Sequence, residues 1–313
     1  MKLSPYMNLN RIEFVVTYHC SGRCIHCSVG DQKSSPKYPH VRETEAVRTI
    51  QWLAEHFPIT SVMTFGGEPL LYPDTVCKIH KTAGDCGIEA RQLITNGYFS
   101  KDKERIREVA QNLKESGINN LLLSVDAFHQ QTIPAETVHY FAECAKAAGI
   151  KKLRLSPAWL VNKEHSNTYN TKTAELLATF HDLEITESQG NNIFMAGNAA
   201  KYLADYYPAP VLNLKDSCGS QPYTDPLTDI TTLSIVPNGN VMICNFVIGN
   251  IYREDISEVV ARYNPYENEY MRAILEGGAS GLLATAEKHH LALDTSRCYS
   301  VCDLCRQIAG LNK

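Results

Sequence analysis

Three closely spaced cysteines are the residues whose types and spacing most clearly indicate chemistry in this chain. Cys20, Cys24 and Cys27 form a C-x3-C-x2-C pattern in a loop at residues 17–30, directly after an apolar, β-branched run. Their thiolates can converge on one inorganic centre, because the residues between them let the backbone curl around it. An iron–sulfur cluster usually takes four cysteines, so three leave one iron open for an outside ligand. Half of a zinc site and a redox thiol group are the alternative interpretations.

The composition is that of an ordinary globular chain, and it disfavours several classes of function. The 313 residues suffice for one large domain and a smaller one, 44% of them are hydrophobic, and the net charge is −4. Because no Lys/Arg run stands out, a nucleic-acid partner is disfavoured. No stretch of eighteen apolar residues exists, so we expect no membrane span. The N-terminus lacks an apolar signal region, so we expect a cytoplasmic protein, in which clustered cysteines favour metal binding or catalysis.

Strands and helices alternate through the first two thirds of the chain. Apolar β-branched runs predict strands, and apolar residues at helical spacing, ended by glycine or proline, predict helices. The predicted strands lie at residues 12–17, 61–65, 91–95, 120–125, 152–156 and 183–186, and the predicted helices at 43–57, 75–86, 103–115, 135–148 and 173–181. This order predicts parallel strands in βαβ units, but periodicity does not separate a doubly wound sheet from a barrel.

A second motif follows the second predicted strand. Gly66, Gly67 and Glu68 stand where the chain leaves the sheet and turns toward the next helix. Two glycines let a backbone approach a ligand closely, and carbonyl and carboxylate oxygens can hold an ammonium group. A plain strand-to-helix turn is the alternative, since Gly-Gly and Glu-Pro are common in turns.

Together, the cysteine loop and the Gly66-Gly67-Glu68 turn resemble the signature of the radical SAM superfamily. The resemblance implies an α/β fold, a partial (β/α)6 TIM-like barrel, with a [4Fe–4S] cluster and S-adenosylmethionine (SAM) at its open end. It implies that SAM chelates the open iron through its amine and carboxylate, and that Glu68 and nearby carbonyls hold the ammonium group. His26 stands where family members usually carry an aromatic residue, so the resemblance places it at the SAM site.

Polar residues at later strand ends are further SAM-site candidates by the same resemblance. Ser124 and Asp126 fall where family members place polar groups against the SAM ribose, and alternate strand residues point the same way. Asn96 holds a similar strand-end position, and Arg154 suits the SAM carboxylate because arginine binds carboxylates bidentately. For Ser124, Asp126 and Asn96 the alternative is a role in capping or turn formation. For Arg154 the alternative is a solvated charge. His129 is a candidate contact of SAM or substrate, although a lone histidine is more often structural.

The C-terminal third carries its own set of cysteines, after a boundary near YYPAP at residues 206–210. They are Cys218, Cys244, Cys298, Cys302 and Cys305. A predicted hairpin with an Asn-Gly turn, at residues 233–244, lies between the first two. This order of cysteine, hairpin, cysteine, helical stretch and closing C-x2-C resembles the SPASM/twitch class of auxiliary-cluster domains. We therefore expect a radical SAM barrel at residues 1–205 and an auxiliary-cluster domain at residues 206–313.

The auxiliary site is expected to hold a second [4Fe–4S] cluster, which takes four thiolates. We assign Cys218, Cys244, Cys302 and Cys305 as its ligands. Cys298 is then spare, either as a hydrogen-atom donor near the active site or as a ligand in place of Cys218. A structural zinc site on the same four residues is the alternative. The other cysteines are expected to be buried structural thiols on predicted helices, namely Cys77, Cys86 and Cys144.

The resemblance implies a radical SAM enzyme that cleaves SAM reductively and takes a hydrogen atom from its substrate. Peptide modification is the first hypothesis, by oxidative crosslinking or by epimerisation with Cys298 as donor. Dehydrogenation of a carbohydrate or another small molecule is the second. A flavodoxin or ferredoxin is the expected electron donor. The hypothesis from another class is a non-catalytic iron–sulfur carrier or a zinc protein, which would need no SAM pocket. We expect substrate specificity in the loops at residues 162–170 and 190–198.

Overall fold

The computed structural model of the protein describes residues 2–30, 34–219 and 224–311. The chain forms two compact units. The barrel unit is Arg11–Tyr206 with Ile235–Gly239, and the tail unit is Met1–Asn10, Tyr207–Ser234 and Asn240–Lys313. The first ten residues thus group with the tail unit. The assignment of a radical SAM barrel to residues 1–205 and an auxiliary-cluster domain to residues 206–313 stays a prediction.

The barrel unit alternates strands and helices along most of its length. Its elements are β1 (Met7–Val15, of which Arg11 onward belongs to this unit), α1 (Glu43–His56), β2 (Ser61–Phe65), α2 (Pro73–Asp85), β3 (Ala90–Thr95), α3 (Lys103–Glu115), β4 (Asn120–Leu123), α4 (Ala135–Ala148), β5 (Lys152–Leu155), β6 (Ala158–Trp159), α5 (Thr168–Ala178), β7 (Thr186–Glu187), β8 (Asn191–Asn192) and α6 (Gly197–Tyr202). Six of these strands pair in parallel in the order β1-β2-β3-β4-β5-β7, while β6 and β8 form a separate parallel pair. This parallel sheet confirms the predicted α/β fold class of a partial (β/α)6 barrel.

The two faces of the parallel sheet differ in burial. On the helix side, Phe14, Val62 and Leu93 are fully buried. Thr64 lies on the same side, where its hydroxyl is 2.8 Å from Nε2 of His80 in α2. The opposite face is half-exposed, as the alternating burial of β1 and β2 shows. On that face Arg11 donates to Glu13, Ser61 and Gln92 across three strands. The helices therefore cover one face, and the other keeps a polar, accessible surface.

Element positions match the sequence predictions best where the hydrophobic period is long. The strand at residues 61–65 and the helix at 135–148 have the predicted bounds, and α4 ends at Gly149 with a left-handed φ of 84°. The first strand begins at Met7, five residues earlier than predicted. The strand predicted at residues 183–186 is wrong in extent. Its first residue ends a 3-10 turn, and only Thr186–Glu187 pairs with β5.

The tail unit combines a small antiparallel sheet with helices. Its elements are β9 (Ile230–Ile235, of which the last residue belongs to the barrel unit), β10 (Asn240–Ile243), β11 (Phe246–Asn250), α7 (Ile256–Arg262), α8 (Glu269–Lys288) and α9 (Val301–Leu311). The predicted hairpin is confirmed as β9 and β10, while β11, which pairs antiparallel with β10, was not predicted. Cys244 lies in the turn between β10 and β11 with a φ of 51°. The β10–β11 turn therefore presents this cysteine.

Candidate active site

The cysteine loop is bonded to the Gly66-Gly67 turn at the end of β2. The N–H of Gly67 donates to the Thr17 carbonyl and the N–H of Glu68 donates to the His19 carbonyl, both at 2.8 Å. A Cβ on Gly67 would lie 2.2 Å from the His19 carbonyl oxygen, and one on Gly66 would lie 2.4 Å from that of Thr17. The expected reason for the two glycines was close approach of a ligand. The structure gives a different one, because the cysteine loop itself occupies the space of their missing side chains.

The start of α6 bonds to the same loop at its second and third cysteines. The backbone N–H of Asn198 donates to the Cys27 carbonyl at 2.9 Å, and its Nδ2 donates to the Cys24 carbonyl at 3.1 Å. A Cβ on Gly197 would lie 2.6 Å from the Ser28 carbonyl oxygen. Asn198 was expected in a loop that sets substrate specificity. It fixes the cysteine loop, a role that no motif in the sequence marks, and its part in substrate specificity stays a prediction.

The three thiols of the loop lie close enough to influence one another. Burial raises the pKa of the Cys24 thiol, and the charges of Asp126, Cys20 and Cys27 raise it further. Cys20 has a pKa raised to about 11, mainly by burial. Nδ2 of Asn96 donates to the Cys20 sulfur at 3.5 Å. Thiols that repel each other's charge in this way favour a bound cation or metal centre, which would hold them as thiolates.

Glu68 is completely buried and its carboxylate is bonded within the barrel unit. One oxygen accepts from the Leu70 N–H at 2.8 Å and the Thr95 hydroxyl at 2.6 Å, and the other accepts from the Asn96 N–H at 2.8 Å. Burial raises its pKa to about 7, although these donors oppose the shift. The side chain thus joins the ends of β2 and β3, which places Asn96 beside Cys20.

Asp126 is also completely buried, in the turn that follows β4. One oxygen accepts from the N–H groups of Phe128 and His129 at 2.9 Å each. The other lies 2.8 Å from Nδ1 of His129 and accepts from the Ala158 N–H at 3.0 Å. Burial opposes ionisation, but His129 holds the pKa of Asp126 well below its usual range. Since β4 ends at Leu123, Ser124 and Asp126 lie beyond the strand, and strand alternation does not set their directions.

His26 packs against the turn that carries Asp126. Its ring centroid lies 4.9 Å from that of Phe128 and 4.8 Å from that of His129. One nitrogen of His26, one nitrogen of His129 and the sulfur of Cys24 all lie within 4.8 Å of one another. Burial, followed by the charge of His129, lowers the pKa of His26 to about 4. The histidine that replaces the usual aromatic residue is therefore neutral and beside the cysteines.

Several buried nitrogens around these strand ends have no hydrogen-bond partner among the described residues. They are Nδ1 of His26, Nε2 of Gln130, Nε of Arg154 and Nε1 of Trp159. Three of these residues are tied to the Asp126 turn. His26 packs on it, Gln130 accepts from the Asp126 N–H at 2.8 Å, and Trp159 follows the Ala158 that donates to Asp126. Buried N–H donors without acceptors indicate a ligand with acceptor atoms, and the carboxylate, ribose and adenine of SAM fit that requirement.

Arg154 lies on β5 beside Leu122 of β4. Its Nη2 donates to Oδ1 of Asn120 at 2.9 Å, and its Nε is free to donate. The sequence identified this arginine, but it gave no sign of Gln130 or Trp159. Neither belongs to a recognisable motif, and only their unpartnered polar atoms mark them.

In the tail unit, four of the five cysteines influence one another. Burial raises the pKa of Cys305, and the charges of Cys218, Cys302 and Cys244 raise it further. Burial and then Cys218 and Cys302 likewise raise the pKa of Cys244. These are the four residues that the sequence assigned as ligands of an auxiliary centre.

Cys298 has different neighbours from the other tail cysteines. It is fully buried, its thiol donates to the Asp294 carbonyl at 3.4 Å, and it accepts from Nε2 of Gln307 at 3.3 Å. A hydrogen-atom donor must reach its substrate, and these contacts are all within the C-terminal segment. The geometry favours a structural role, so the donor role stays a hypothesis.

Comparison with known proteins identifies the class. Residues 14–159 match the family model described as the Radical SAM superfamily. This span contains the cysteine loop, the Gly66-Gly67-Glu68 turn and the Asp126 turn. Residues 14–159 thus form a Radical SAM domain, and a domain of this superfamily indicates the use of SAM and an iron–sulfur cluster.

Curated relatives share only part of their length with this chain. A GTP 3′,8-cyclase of Lactiplantibacillus plantarum is 30% identical over 130 residues, which are 41% of this chain and 35% of the relative. A GTP 3′,8-cyclase of Saccharophagus degradans is 26% identical over 176 residues, 54% of this chain and 49% of the relative. The chain thus spans half or less of the length of these relatives.

Two solved structures align with most of this chain at low identity. BtrN in complex with AdoMet and 2-DOIA has a TM-score of 0.47 and 16% identity, covering 90% of this chain and 92% of that one. Native anSMEcpe with bound AdoMet has a TM-score of 0.47 and 13% identity, covering 97% and 100%. Likenesses of this size carry no inference about the reaction. In the part of the chain that the structure describes, no helix is long and apolar enough to cross a membrane.

Proposed function

We propose that this enzyme carries out a SAM-dependent radical oxidation of its substrate, with peptides as the first substrate class. When bound, the cluster and SAM supply a 5′-deoxyadenosyl radical that takes a hydrogen atom from the substrate. The observation that carries the proposal is the set of unpartnered buried nitrogens beside the cysteine loop. Thiols alone fit zinc or an electron carrier, whereas buried N–H donors without acceptors favour an organic ligand next to the metal centre.

The cysteine loop and its supports have distinct tasks in this proposal. Cys20, Cys24 and Cys27 hold the SAM-binding [4Fe–4S] cluster. Asn96 donates to the sulfur of Cys20 and so fixes that ligand. The fully bonded carboxylate of Glu68 acts on SAM indirectly, by fixing the strand ends whose carbonyls line the site.

The ligand-facing donors lie on β5 and the segments next to it. Nε of Arg154 and Nε1 of Trp159 are N–H donors that can bind carboxylate or hydroxyl oxygens of SAM or substrate. The Asp126 carboxylate already accepts four donors, so it orients the turn that carries His129. Its ordered backbone, together with Ser124, forms the side of the site expected to face the ribose.

The tail cysteines support oxidation over a redox-neutral outcome. Cys218, Cys244, Cys302 and Cys305 suit a fully ligated auxiliary [4Fe–4S] cluster, in the manner of the SPASM/twitch class that this tail resembles. Such a centre can accept the electron left on the substrate after hydrogen abstraction. Epimerisation needs a thiol that returns a hydrogen atom, and Cys298 is fully buried.

Cyclisation of a purine nucleotide is the second candidate, because both relatives described above are named GTP 3′,8-cyclase. It is weaker, since the matches cover 35% and 49% of those relatives. Dehydrogenation of a small alcohol uses the same two clusters and differs only in the substrate.

The proposal is tested by offering two substrates to the anaerobically reconstituted enzyme with SAM and a reductant. One is any peptide encoded by a short reading frame next to the gene, and the other is GTP. We expect 5′-deoxyadenosine together with a peptide product that has lost two hydrogen atoms, as seen by mass spectrometry. A cyclised nucleotide would contradict peptide oxidation. So would a peptide whose mass is unchanged in ordinary water and which gains a single deuterium when the reaction is run in heavy water.

A further inference from the structure

The long tail helix α8 folds back on itself at Gly278. This glycine breaks the helix with a φ of 59° and a ψ of −150°, a conformation that residues with a side chain rarely adopt. A straight helix of 20 residues would be about 30 Å long. The carboxylate of Glu269, its first residue, nevertheless accepts a hydrogen bond from Nζ of Lys288, its last residue, at 2.7 Å. The two halves therefore lie side by side as a helical hairpin with Gly278 at its tip.

Close packing of the two halves supports this reversal. A Cβ on Gly281 would lie 2.5 Å from the Ala273 carbonyl oxygen, although residues at this spacing in a straight helix are about 12 Å apart. Nε2 of His289, just beyond the second half, also lies 2.7 Å from the Glu269 carboxylate. Contacts at both ends of the two halves therefore hold the hairpin together.

The tip of the hairpin binds the backbone of residues 214–216. Because the helix is broken, the N–H groups of Ala279 and Ser280 lack the partners that a continuous helix provides. The Ala279 N–H donates to the Asp216 carbonyl at 2.9 Å, and the Ser280 N–H donates to the Leu214 carbonyl at 3.2 Å. A Cβ on Gly278 would lie 2.8 Å from the Asp216 carbonyl oxygen. Glycine at the tip therefore permits both the reversal and the close approach.

The bound segment leads directly to Cys218. Residues 207–219 form turns and irregular backbone without a helix or strand, so regular secondary structure does not fix this cysteine. The other expected ligands of the auxiliary cluster lie on or between regular elements. Cys244 is in the β10–β11 turn, and Cys302 and Cys305 are on α9. The hairpin tip is therefore the support that fixes the backbone two residues before Cys218.

We propose that the hairpin tip of α8 positions Cys218 as a ligand of the auxiliary cluster, which makes Gly278 a positioning residue of that site. The inference rests on the proposed assignment of Cys218 and three other tail cysteines to a [4Fe–4S] cluster. In the proposed oxidation, the substrate gives a hydrogen atom to the 5′-deoxyadenosyl radical, one electron to the auxiliary cluster and one proton to water. A carrier of the flavodoxin or ferredoxin class then takes the electron from the cluster. Oxidation therefore requires the hairpin tip, whereas SAM cleavage in the barrel unit does not.

Two adjacent glycines at the tip provide a matched pair of variants. A Cβ on Gly277 would have no described atom within 4 Å, whereas a Cβ on Gly278 would meet the Asp216 carbonyl. Only Gly278 of the two has a positive φ. Gly277→Ala is therefore the control for Gly278→Ala, because it adds the same methyl group without disturbing the reversal or the bound segment.

The first test reconstitutes the full-length wild-type, Gly278→Ala and Gly277→Ala enzymes anaerobically. Iron counting and electron paramagnetic resonance of the reduced enzymes follow both clusters. We expect about eight irons in the wild type and in Gly277→Ala, and about four in Gly278→Ala, without the signal of the auxiliary cluster. Gly278→Ala should still form 5′-deoxyadenosine but no oxidised product. About eight irons and an unchanged auxiliary signal in Gly278→Ala would overturn the inference.

A second test decides the matter if Gly278→Ala does not fold. By linkage, a cysteine that the tip positions must in turn stabilise the tip when the cluster is bound. Hydrogen exchange at the amides of Ala279 and Ser280 is compared by mass spectrometry in the wild type and in Cys244→Ala, which is expected to lack the auxiliary cluster. We expect exchange to be roughly fivefold or more faster in Cys244→Ala, with equal exchange in α4 of the barrel unit.

Equal exchange at the hairpin tip in the wild type and in Cys244→Ala would overturn the inference, because the tip would then not be coupled to the auxiliary site. Failure of the proposed function looks different. The wild-type enzyme would then bind about four irons or only zinc, whatever the state of the hairpin.

Discussion

At the scale of single residues, the two buried carboxylates of the site form hydrogen bonds within the protein. Ligand binding is therefore expected from other side chains. Glu68 and Asp126 are fully buried, and each accepts at least three hydrogen bonds from nearby groups. Both residues were found from the sequence because motifs mark them. Their long-range partners are not readable from a motif, since only the fold brings Thr95 and Asn96 to Glu68 and the Ala158 N–H to Asp126. The positions were therefore predictable, and the direct contacts with SAM were not.

Replacing Glu68 tests its role between the strand ends. In Glu68→Gln, an amide NH2 faces the N–H of Leu70 or Asn96 in place of an acceptor oxygen. We expect a loss of about 1–3 kcal/mol in the free energy of unfolding, because a buried donor is left unsatisfied. Urea unfolding measures it, and the iron content should fall as well because Asn96 supports Cys20. The exposed Glu164→Gln is the control. Equal stability of the two variants would show that the Glu68 bonds are not needed.

His80 gives the fold a dependence on pH. It is fully buried, and burial followed by the charge of Arg91 lowers its pKa to about 3. An unfolded histidine has a pKa near 6.5, so between about pH 6.5 and pH 3 the unfolded chain binds a proton that the native protein does not. Stability is therefore complete above about pH 6.5 and falls as the pH decreases, by up to about 1.4 kcal/mol per pH unit from this group. In His80→Gln, the free energy of unfolding measured with urea should fall less steeply between about pH 6.5 and pH 3 than in the wild-type protein. An equally steep fall in both proteins would contradict this role of His80.

At the scale of elements, the strand and helix order was predictable, whereas the supports of the cysteine loop were only partly so. Long helices such as α3 and α4 show a clear apolar period, and they lie where the sequence predicts them. The pairing of α6 with the loop was not predictable, because six residues without a motif carry too little pattern. The sequence predicted the Gly66-Gly67 turn after β2. It did not show why glycine is needed there, because the cysteine loop that packs against the turn is remote in sequence.

Gly67→Ala tests the packing of the turn against the loop. The new Cβ would lie 2.2 Å from the His19 carbonyl oxygen, so one of the two backbones has to move. We expect a loss of about 1–3 kcal/mol in stability together with poor retention of the SAM-binding cluster. Iron analysis after reconstitution measures the second effect. Gly84→Ala in α2 is the control, because its nearest neighbour would be 3.8 Å away. Full iron loading in Gly67→Ala would mean that the loop tolerates the displacement.

At the scale of the whole molecule, the chain carries two cysteine groups in two separate units. The sequence predicted both groups from spacing and resemblance, and the structure brings the members of each group near one another. The substrate was not predictable, because the half-exposed sheet face and the unpartnered nitrogens depend on side chains from many elements. Folds of this kind host many reactions.

Substitutions in the tail separate ligands from the spare cysteine. Cys244→Ala should lose the auxiliary cluster, about four irons, and keep SAM cleavage by the barrel unit. Cys298→Ala should keep the iron of both clusters, since its sulfur contacts Asp294 and Gln307 and not the other thiols. Iron counting and a 5′-deoxyadenosine assay follow both variants. If Cys298→Ala loses iron and Cys244→Ala does not, Cys298 is the cluster ligand and Cys244 is the spare cysteine.

The most direct test of the central claim is the iron content of the anaerobically reconstituted wild-type enzyme, measured with its yield of 5′-deoxyadenosine from SAM. Two four-iron clusters predict about eight irons per chain, with 5′-deoxyadenosine formed once a reductant is added. Cys24→Ala should keep about four irons and form none of this product. A wild-type enzyme that binds about four irons or only zinc, and forms no 5′-deoxyadenosine, would contradict the account.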